Sequence, residues 1–226
     1  MELSSLLIPL GIIPAIAAMY IFTARYEGKY REKNILISFI MGMILGMLIY
    51  IMEVPNVAKV IEGNLYMGDA MIMAVMFSFL EQIAKFVVLN AKFLKDDGLP
   101  IYGAALGAGI ASPFAPVFIR KIEISVYGFL IAIIPVMVIF IASYTAILIG
   151  IGIKKEEKGK YFGYAFIFSI PIWLILLFIF YFKENLAYFL SFFFLLFIVT
   201  TLATYHAYHT LLPFSMLKRQ ELKKIL

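Results

Sequence analysis

The sequence predicts an all-α membrane protein, a bundle of about seven transmembrane helices with its N-terminus outside and its C-terminus in the cytoplasm. Of the 226 residues, 64% are hydrophobic and 15% are charged, and the mean hydropathy is +0.99. A soluble domain has about a quarter of its residues charged. Apolar stretches of about 20 residues, the length that crosses a bilayer, recur along the chain. No polar segment is long enough to fold alone, so residues 1–226 are expected to form a single membrane domain.

Composition also excludes several classes of site. The chain has no cysteine, which rules out disulfides, thiolate nucleophiles and metal sites with cysteine ligands. The net charge of +5 does not indicate a nucleic-acid partner, because the basic residues occupy loop positions that membrane topology explains. The expected partner is membrane lipid. The composition, rich in Lys, Ile, Phe and Tyr, is typical of a prokaryotic protein.

Seven apolar segments are the candidate spans. In chain order they are Leu3–Phe22, Ile35–Met52, Met67–Leu89, Leu99–Phe118, Ser125–Ile153, Phe162–Phe182 and Leu186–Phe214. The first segment lacks the basic start of a secretion signal, and its positive charges, Arg25 and Lys29, follow the apolar run. This is the arrangement of an uncleaved first span with its N-terminus outside.

The distribution of cations predicts the orientation in a cell membrane. With the N-terminus outside, the cytoplasmic cations are Arg25, Lys29, Arg31, Lys33, Lys92, Lys95, Lys154, Lys155, Lys158, Lys160, Lys218, Arg219, Lys223 and Lys224. The external cations are Lys59, Arg120, Lys121 and Lys183. Because Lys and Arg accumulate in cytoplasmic loops, this excess favours the stated topology over the inverted one.

The fourth span carries small residues at four-residue spacing, such as Gly103 with Gly107 and Ala105 with Gly109. Small residues four apart allow helix backbones to approach closely, which predicts a helix in the middle of the bundle. The alternative is a backbone cleared for a substrate. The prolines near residues 113–116 predict a kink or an early end on the outer side.

Ionisable residues inside spans are rare and costly, by about 2.5–3.5 kcal/mol on insertion scales. The third span contains Asp69, Glu81 and Lys85, with Gln82 beside them. Glu81 and Lys85 are four residues apart on one helix face, in the favourable order for an ion pair. Two interpretations are open: a self-neutralising pair that lets the helix tolerate the membrane, or a carboxylate that binds a metal or a proton and is tuned by Lys85.

The last span contains His206 and His209, whose three-residue spacing places both imidazoles on one α-helical face. They are either two idle histidines near the headgroups or ligands of one metal ion. Counted from the inner helix ends, Glu81 lies about 14 Å deep and His206 about 12 Å deep. Residues 143–145 of the fifth span fall in the same layer of the inner half of the bilayer. The depths predict that Glu81 and His206 share a site.

Short motifs in this layer resemble those of the PrsW-type intramembrane metalloproteases, relatives of the CAAX-processing membrane proteases. The segment 79–86, Phe-Leu-Glu-Gln-Ile-Ala-Lys-Phe, resembles their Glu-Glu-x-x-Lys helix. The segment 97–109, Asp-Gly-Leu-Pro-Ile-Tyr-Gly-Ala-Ala-Leu-Gly-Ala-Gly, is similar to their Asp-Gly-x-x-Tyr-Gly segment and glycine-rich helix, with one extra residue before the tyrosine. Segment 143–152 resembles the third motif, and His206 with Thr210 resembles the last one.

This chain departs from the family pattern at most of its ionisable positions. Gln82 replaces the second glutamate, Phe114-Ala115 an expected Glu-Asn pair, Ser143 a histidine and Thr210 the last acid. A catalytic zinc site needs three protein ligands and a bound water. The resemblance implies Glu81, His206 and the additional His209 as the zinc ligands and Glu81 with Lys85 as catalytic residues, with no second carboxylate left as general base.

The sequence therefore favours the first of two functional hypotheses, and the second is its alternative. One is a PrsW-like protein with a reduced site, either an intramembrane metalloprotease that cleaves slowly or an inactive homologue that binds transmembrane segments of other proteins. The other is a small transporter or channel in which Glu81 and Lys85 handle protons or cations.

Overall fold

The computed structural model describes residues 4–61, 67–114 and 126–216, and every regular element in these ranges is helical. The helices are α1 Ser4–Thr23, α2 Glu32–Ile61, α3 Met67–Leu89, α4 Leu99–Ala111, α5 Val126–Lys155, α6 Lys158–Tyr181, α7 Leu186–His206 and α8 Leu212–Ser215. A π-helical turn, Ala207–Leu211, joins α7 to α8. The all-α prediction is confirmed for the described residues.

Five helical segments are long and apolar enough to cross a membrane. They are Glu32–Val57, Gly68–Leu89, Gly128–Lys155, Lys158–Tyr181 and Leu186–Ser215. Two further apolar segments, Gly11–Tyr26 and Leu99–Phe114, are shorter. These lengths are compatible with an integral membrane protein, and five segments of full spanning length lie within the described residues, so the count of seven spans stays a prediction.

The helix of the fourth predicted span, Leu99–Phe118, ends early, as the prolines near residues 113–116 predict. Helix α4 has 13 residues and is therefore about 20 Å long, less than the roughly 30 Å hydrocarbon core. It ends in a 3₁₀ turn, Ser112–Phe114, in which Pro113 has no backbone N–H to continue the helix. Residues 115–118 of the prediction lie outside the described residues.

Helix α4 occupies the middle of the bundle, as its small residues predict. Each of its side chains is buried, and it packs between α2 and α5. A Cβ added at Gly107 would meet the backbone carbonyl of Ala142 in α5, and one added at Gly109 would meet that of Phe39 in α2. Backbone atoms cannot rotate away as a flexible side chain can, so these positions accept only glycine without movement of a helix.

Helix α2 extends nine residues beyond Met52, where the predicted span ended. It continues through Glu53 and Pro55 to Ile61. Pro55 removes one backbone hydrogen bond, a loss that helices tolerate where neighbouring elements pack against them. This extension places the Glu53 side chain inside the bundle, where it is 1% exposed.

Polar contacts gather several predicted cytoplasmic segments at one end of the bundle. Lys154 Nζ lies 3.4 Å from Asp97 Oδ1 and donates to the Ser215 carbonyl at 2.7 Å. Lys158 Nζ donates to Asn90 Oδ1 at 2.7 Å. The loop before α4, the α5–α6 junction and the end of α8 therefore share this end.

The same end holds a network around Tyr102, which is fully buried in α4. Its hydroxyl donates to Asp96 Oδ2 at 2.9 Å and accepts the backbone N–H of Arg31 at 2.8 Å. Asp96 also lies 3.8 Å from Arg31 Nε. Asp96, which directly precedes the Asp97-Gly98 pair, is therefore linked to the loop before α2.

Candidate functional site

Helix α3 presents a polar face to the interior of the bundle. Lys85 and Gln82 are completely buried and Glu81 is 9% exposed. This face is enclosed because α3 packs against α6, α5 and α2. Asp69, in the first turn of α3, is exposed and does not join the group. The buried group of Glu81, Gln82 and Lys85 with its partners on α5 and α6 is called the polar cluster below.

Lys85 is the centre of the polar cluster. Its ammonium lies 2.6 Å from Glu81 Oε1, which confirms the ion pair predicted from the four-residue spacing. It also donates to Thr145 Oγ1 of α5 at 2.6 Å and to Gln82 Oε1 at 3.4 Å. An ammonium group has three N–H donors, and these three contacts use all of them.

Helix α6 completes the polar cluster with two residues that the sequence analysis missed. Trp173 Nε1 donates to Glu81 Oε2 at 3.2 Å, and Gln82 Nε2 donates to Ser169 Oγ at 3.2 Å. Both α6 residues are buried and lie four residues apart, on one helix face. One feature of the sequence could have pointed to them: Ser169 lies four residues before Trp173, the only tryptophan of the chain, in an otherwise apolar segment.

The three polar residues of α5 in the predicted layer have separate roles. Thr145 contacts Lys85, whereas the Ser143 hydroxyl donates to the Ile139 carbonyl of its own helix at 2.9 Å. Tyr144 Oη lies 3.2 Å from His206 Nδ1. On helix α5, Thr145 therefore faces α3 and Tyr144 faces α7.

The two histidines lie on the surface of the described bundle. His206 is exposed and reaches inward only to Tyr144. His209 is exposed within the π-helical turn, and its ring centroid lies 4.5 Å from that of Tyr205. The turn ends two residues before Pro213, which cannot donate a backbone hydrogen bond to the residue four before it. Because this segment is π-helical, the shared face expected from α-helical spacing does not apply.

The expected metal set is not assembled. Within the described residues, no three His, Asp or Glu side chains form a group that could hold a metal ion. Helices α3 and α7 both pack against α5 and α6 rather than against each other, which keeps Glu81 apart from His206 and His209. Both Glu81 oxygens already accept hydrogen bonds, from Lys85 and Trp173. The donor set does not fit a catalytic zinc ion, which needs three convergent ligands and an open position.

A second buried carboxylate was not anticipated at all. Glu53 of α2 is 1% exposed, and no described residue hydrogen-bonds to either of its carboxylate oxygens. It lies within electrostatic range of Glu81. The predicted second span ended at Met52, one residue before Glu53.

On another side of the bundle, α5 and α7 enclose an apolar groove of about 440 Å³. The groove is lined by Ile133, Val136, Met137, Phe140, Phe197, Thr200, Thr201, Thr204, Tyr205, Tyr208 and His209. The polar cluster does not open into it. At one end, the Arg25 guanidinium lies 5.8 Å from the centre of the Tyr208 ring.

No family model matches the chain, and neither curated proteins nor solved structures yield a significant match.

Proposed function

We propose that this protein is a multi-pass cell-membrane protein in which the polar cluster binds and passes on protons or small cations, as in a small transporter or channel. The observation that carries the proposal is the fully buried Lys85, whose ammonium lies 2.6 Å from Glu81 inside a helix of spanning length. Ionisable groups within spans are expensive and mark ion pathways and proton relays in many membrane proteins.

The geometry of the polar cluster supports the exchange of a proton or cation at Glu81. A proton or cation that arrives at Glu81 Oε1 competes with Lys85 for the same oxygen, while Trp173 continues to hold Oε2. Lys85 keeps Thr145 and Gln82 as acceptors when the pair opens. The ion pair can therefore open and close without leaving the ammonium unsolvated, which a relay group requires.

The proposed topology has about seven spans, an external N-terminus and a cytoplasmic C-terminus. Five helical segments of spanning length, two shorter apolar segments and the cation-rich loops at one end of the bundle support it. Residues 115–125 and 217–226, on which part of this topology depends, lie outside the described residues.

The resemblance to PrsW-type proteases supports a second candidate, the binding of transmembrane segments from other proteins without hydrolysis or with slow cleavage. The observation that favours it is the apolar groove between α5 and α7. The groove contains His209 and three threonines, side chains that hydrogen-bond across helix contacts in membranes. No hydrolytic step is derived from it, because the residues present do not fit a zinc centre.

Proton flux in reconstituted liposomes tests the first candidate. With a pH gradient and a dye in the lumen, the native protein should dissipate the gradient faster than empty liposomes. Glu81→Gln should return the rate to that of empty liposomes. Glu157→Gln is the matched control, because Glu157 pairs with Lys160 at an exposed position. Native flux equal to that of empty liposomes, or full flux in Glu81→Gln, would refute ion handling at Glu81.

Photo-crosslinking tests the second candidate. A photoreactive residue at Phe197, in the groove, should capture transmembrane segments in native membranes, whereas one at the exposed Ile167 of α6 should not. Equal capture at both positions would indicate nonspecific contact with neighbouring proteins. Capture at Phe197 without proton flux would favour the second candidate over the first.

A further inference from the structure

Glu53 is the one buried charged side chain whose polar atoms have no hydrogen-bond partner among the described residues. Both carboxylate oxygens are inaccessible to solvent, and nothing described donates to them. Most buried polar atoms in proteins have a partner, so an unpartnered carboxylate in the interior requires an explanation. An ionised carboxylate in such a place costs several kcal/mol even after relaxation of its surroundings.

Among the described residues, the elements packed against α2 do not supply a counter-charge for Glu53. Helix α2 packs against α3, α4, α6 and the Ser112–Phe114 turn. Helix α4 and this turn contain no Asp, Glu, Lys, Arg or His. The charged residues of α6, Lys158 and Lys160, lie in its first turn, at the cation-rich end of the bundle.

The charged groups of α3 do not supply one either. Asp69 is exposed in its first turn, and Glu81 carries the same charge as an ionised Glu53. The only buried cation of α3 is Lys85, whose three donors are engaged by Glu81, Gln82 and Thr145.

A count of charges then decides the protonation state. Of the described residues, ionised Glu53, ionised Glu81 and protonated Lys85 together would carry a net charge of −1. One added proton makes this group of three neutral. Glu81 is stabilised as a carboxylate by Lys85 and by the indole N–H of Trp173, whereas Glu53 has no such donors. The proton therefore belongs on Glu53.

We propose that Glu53 is a proton-binding site, which carries a proton in the resting protein and releases it when the polar cluster accepts it. In the release step the O–H bond at Glu53 breaks and a new O–H bond forms at Glu81, so Glu53 becomes a carboxylate and Glu81 a neutral acid. The charge of the group is zero before and after. The transport role of this step rests on the function proposed above; the protonated state of Glu53 does not.

Infrared spectroscopy of the full chain in liposomes tests the resting state without any flux measurement. At neutral pH the native protein should show the carbonyl stretch of a protonated carboxylic acid. Glu53→Gln should remove this band, and Glu53→Asp should shift it while retaining an acid at the site. Glu157→Gln, at an exposed pair, should leave the band unchanged.

Three results would overturn the proposal: no such band in the native protein, a band that survives in Glu53→Gln, or a band that appears only when sodium is removed. The last would identify Glu53 as a site for a metal cation instead of a proton. Full native-like flux in Glu53→Gln would refute the release step alone, because ion handling at Glu81 would then not need a proton from Glu53. Conversely, a band assigned to Glu53 without any native flux would support the proton site and refute the proposed transport.

Discussion

Replacement of Lys85 by methionine is expected to destabilise the protein strongly. Methionine is unbranched and apolar and fills much of the same space, but the ammonium that lies 2.6 Å from Glu81 and from Thr145 is lost. Glu81 would then be a buried carboxylate with a single donor, Trp173. Removal of one partner of a buried ion pair costs about 3–5 kcal/mol, and a similar loss in the free energy of unfolding is expected here.

The double variant Glu81→Gln with Lys85→Met is expected to recover most of that loss. Neither remaining group carries a charge, and a buried ion pair replaced by neutral groups of similar volume is often nearly neutral in stability. Because each single variant leaves a buried charge unpaired and the double variant leaves none, the coupling energy of the pair should be at least as large as the loss in Lys85→Met, about 3–5 kcal/mol.

Reversible unfolding in mixed detergent micelles, measured for the native protein, both single variants and the double variant, provides the coupling energy. The exposed pair Glu157 and Lys160 serves as the control cycle, because surface ion pairs contribute little. If the Glu81 and Lys85 changes add within about 0.5 kcal/mol, the two side chains do not act as a pair. That result would remove the basis of the proposed exchange site.

Three further outcomes follow from the packing and the charge distribution. Gly107→Ala should lower the free energy of unfolding by about 1–3 kcal/mol, because the added methyl group meets a backbone carbonyl of α5. Gly163→Ala, with open space around it, should be neutral or stabilising, and unfolding measurements compare the two variants. Tyr102→Phe should lower the free energy of unfolding by about 1–3 kcal/mol, since it removes a buried hydroxyl that hydrogen-bonds to two groups. A free energy of unfolding equal to that of the native protein would contradict this network. A reporter fused after Leu226 should be cytoplasmic and one inserted near Asn64 external, and finding both on one side would refute the topology.

Hydropathy predicted the end of the third helix correctly and placed the end of the second helix too early. The third helix ends at Leu89, as predicted, and the polar residue Asn90 follows it. The second was predicted to end at Met52, but it continues through Glu53 and Pro55 to Ile61. Neighbouring helices pack against α2 and bury Glu53, and this tertiary contribution cannot be read from the sequence of one segment.

The site was predictable to the extent that it depends on one helix. The spacing of Glu81 and Lys85 fixes a shared face whatever surrounds it, and the ion pair forms. The depth calculation placed His206 at a similar height to Glu81, but height along a helix says nothing about which way a side chain points. Helices α5 and α6 pack against both α3 and α7, so equal depth did not bring the two residues together.

The two functional hypotheses require different surroundings for Glu81. A carboxylate that binds a catalytic metal needs a free oxygen directed at other ligands, and its neighbours must leave an open coordination position. Here Lys85 occupies one oxygen, Trp173 occupies the other, and the histidines lie beyond α5 and α6. A carboxylate that exchanges a proton needs a cation that can hold its charge and a second acid nearby to give or take the proton. In the proposed function Lys85 supplies the first and Glu53 the second, and the contacts at Glu81 that do not fit a catalytic metal are compatible with proton exchange.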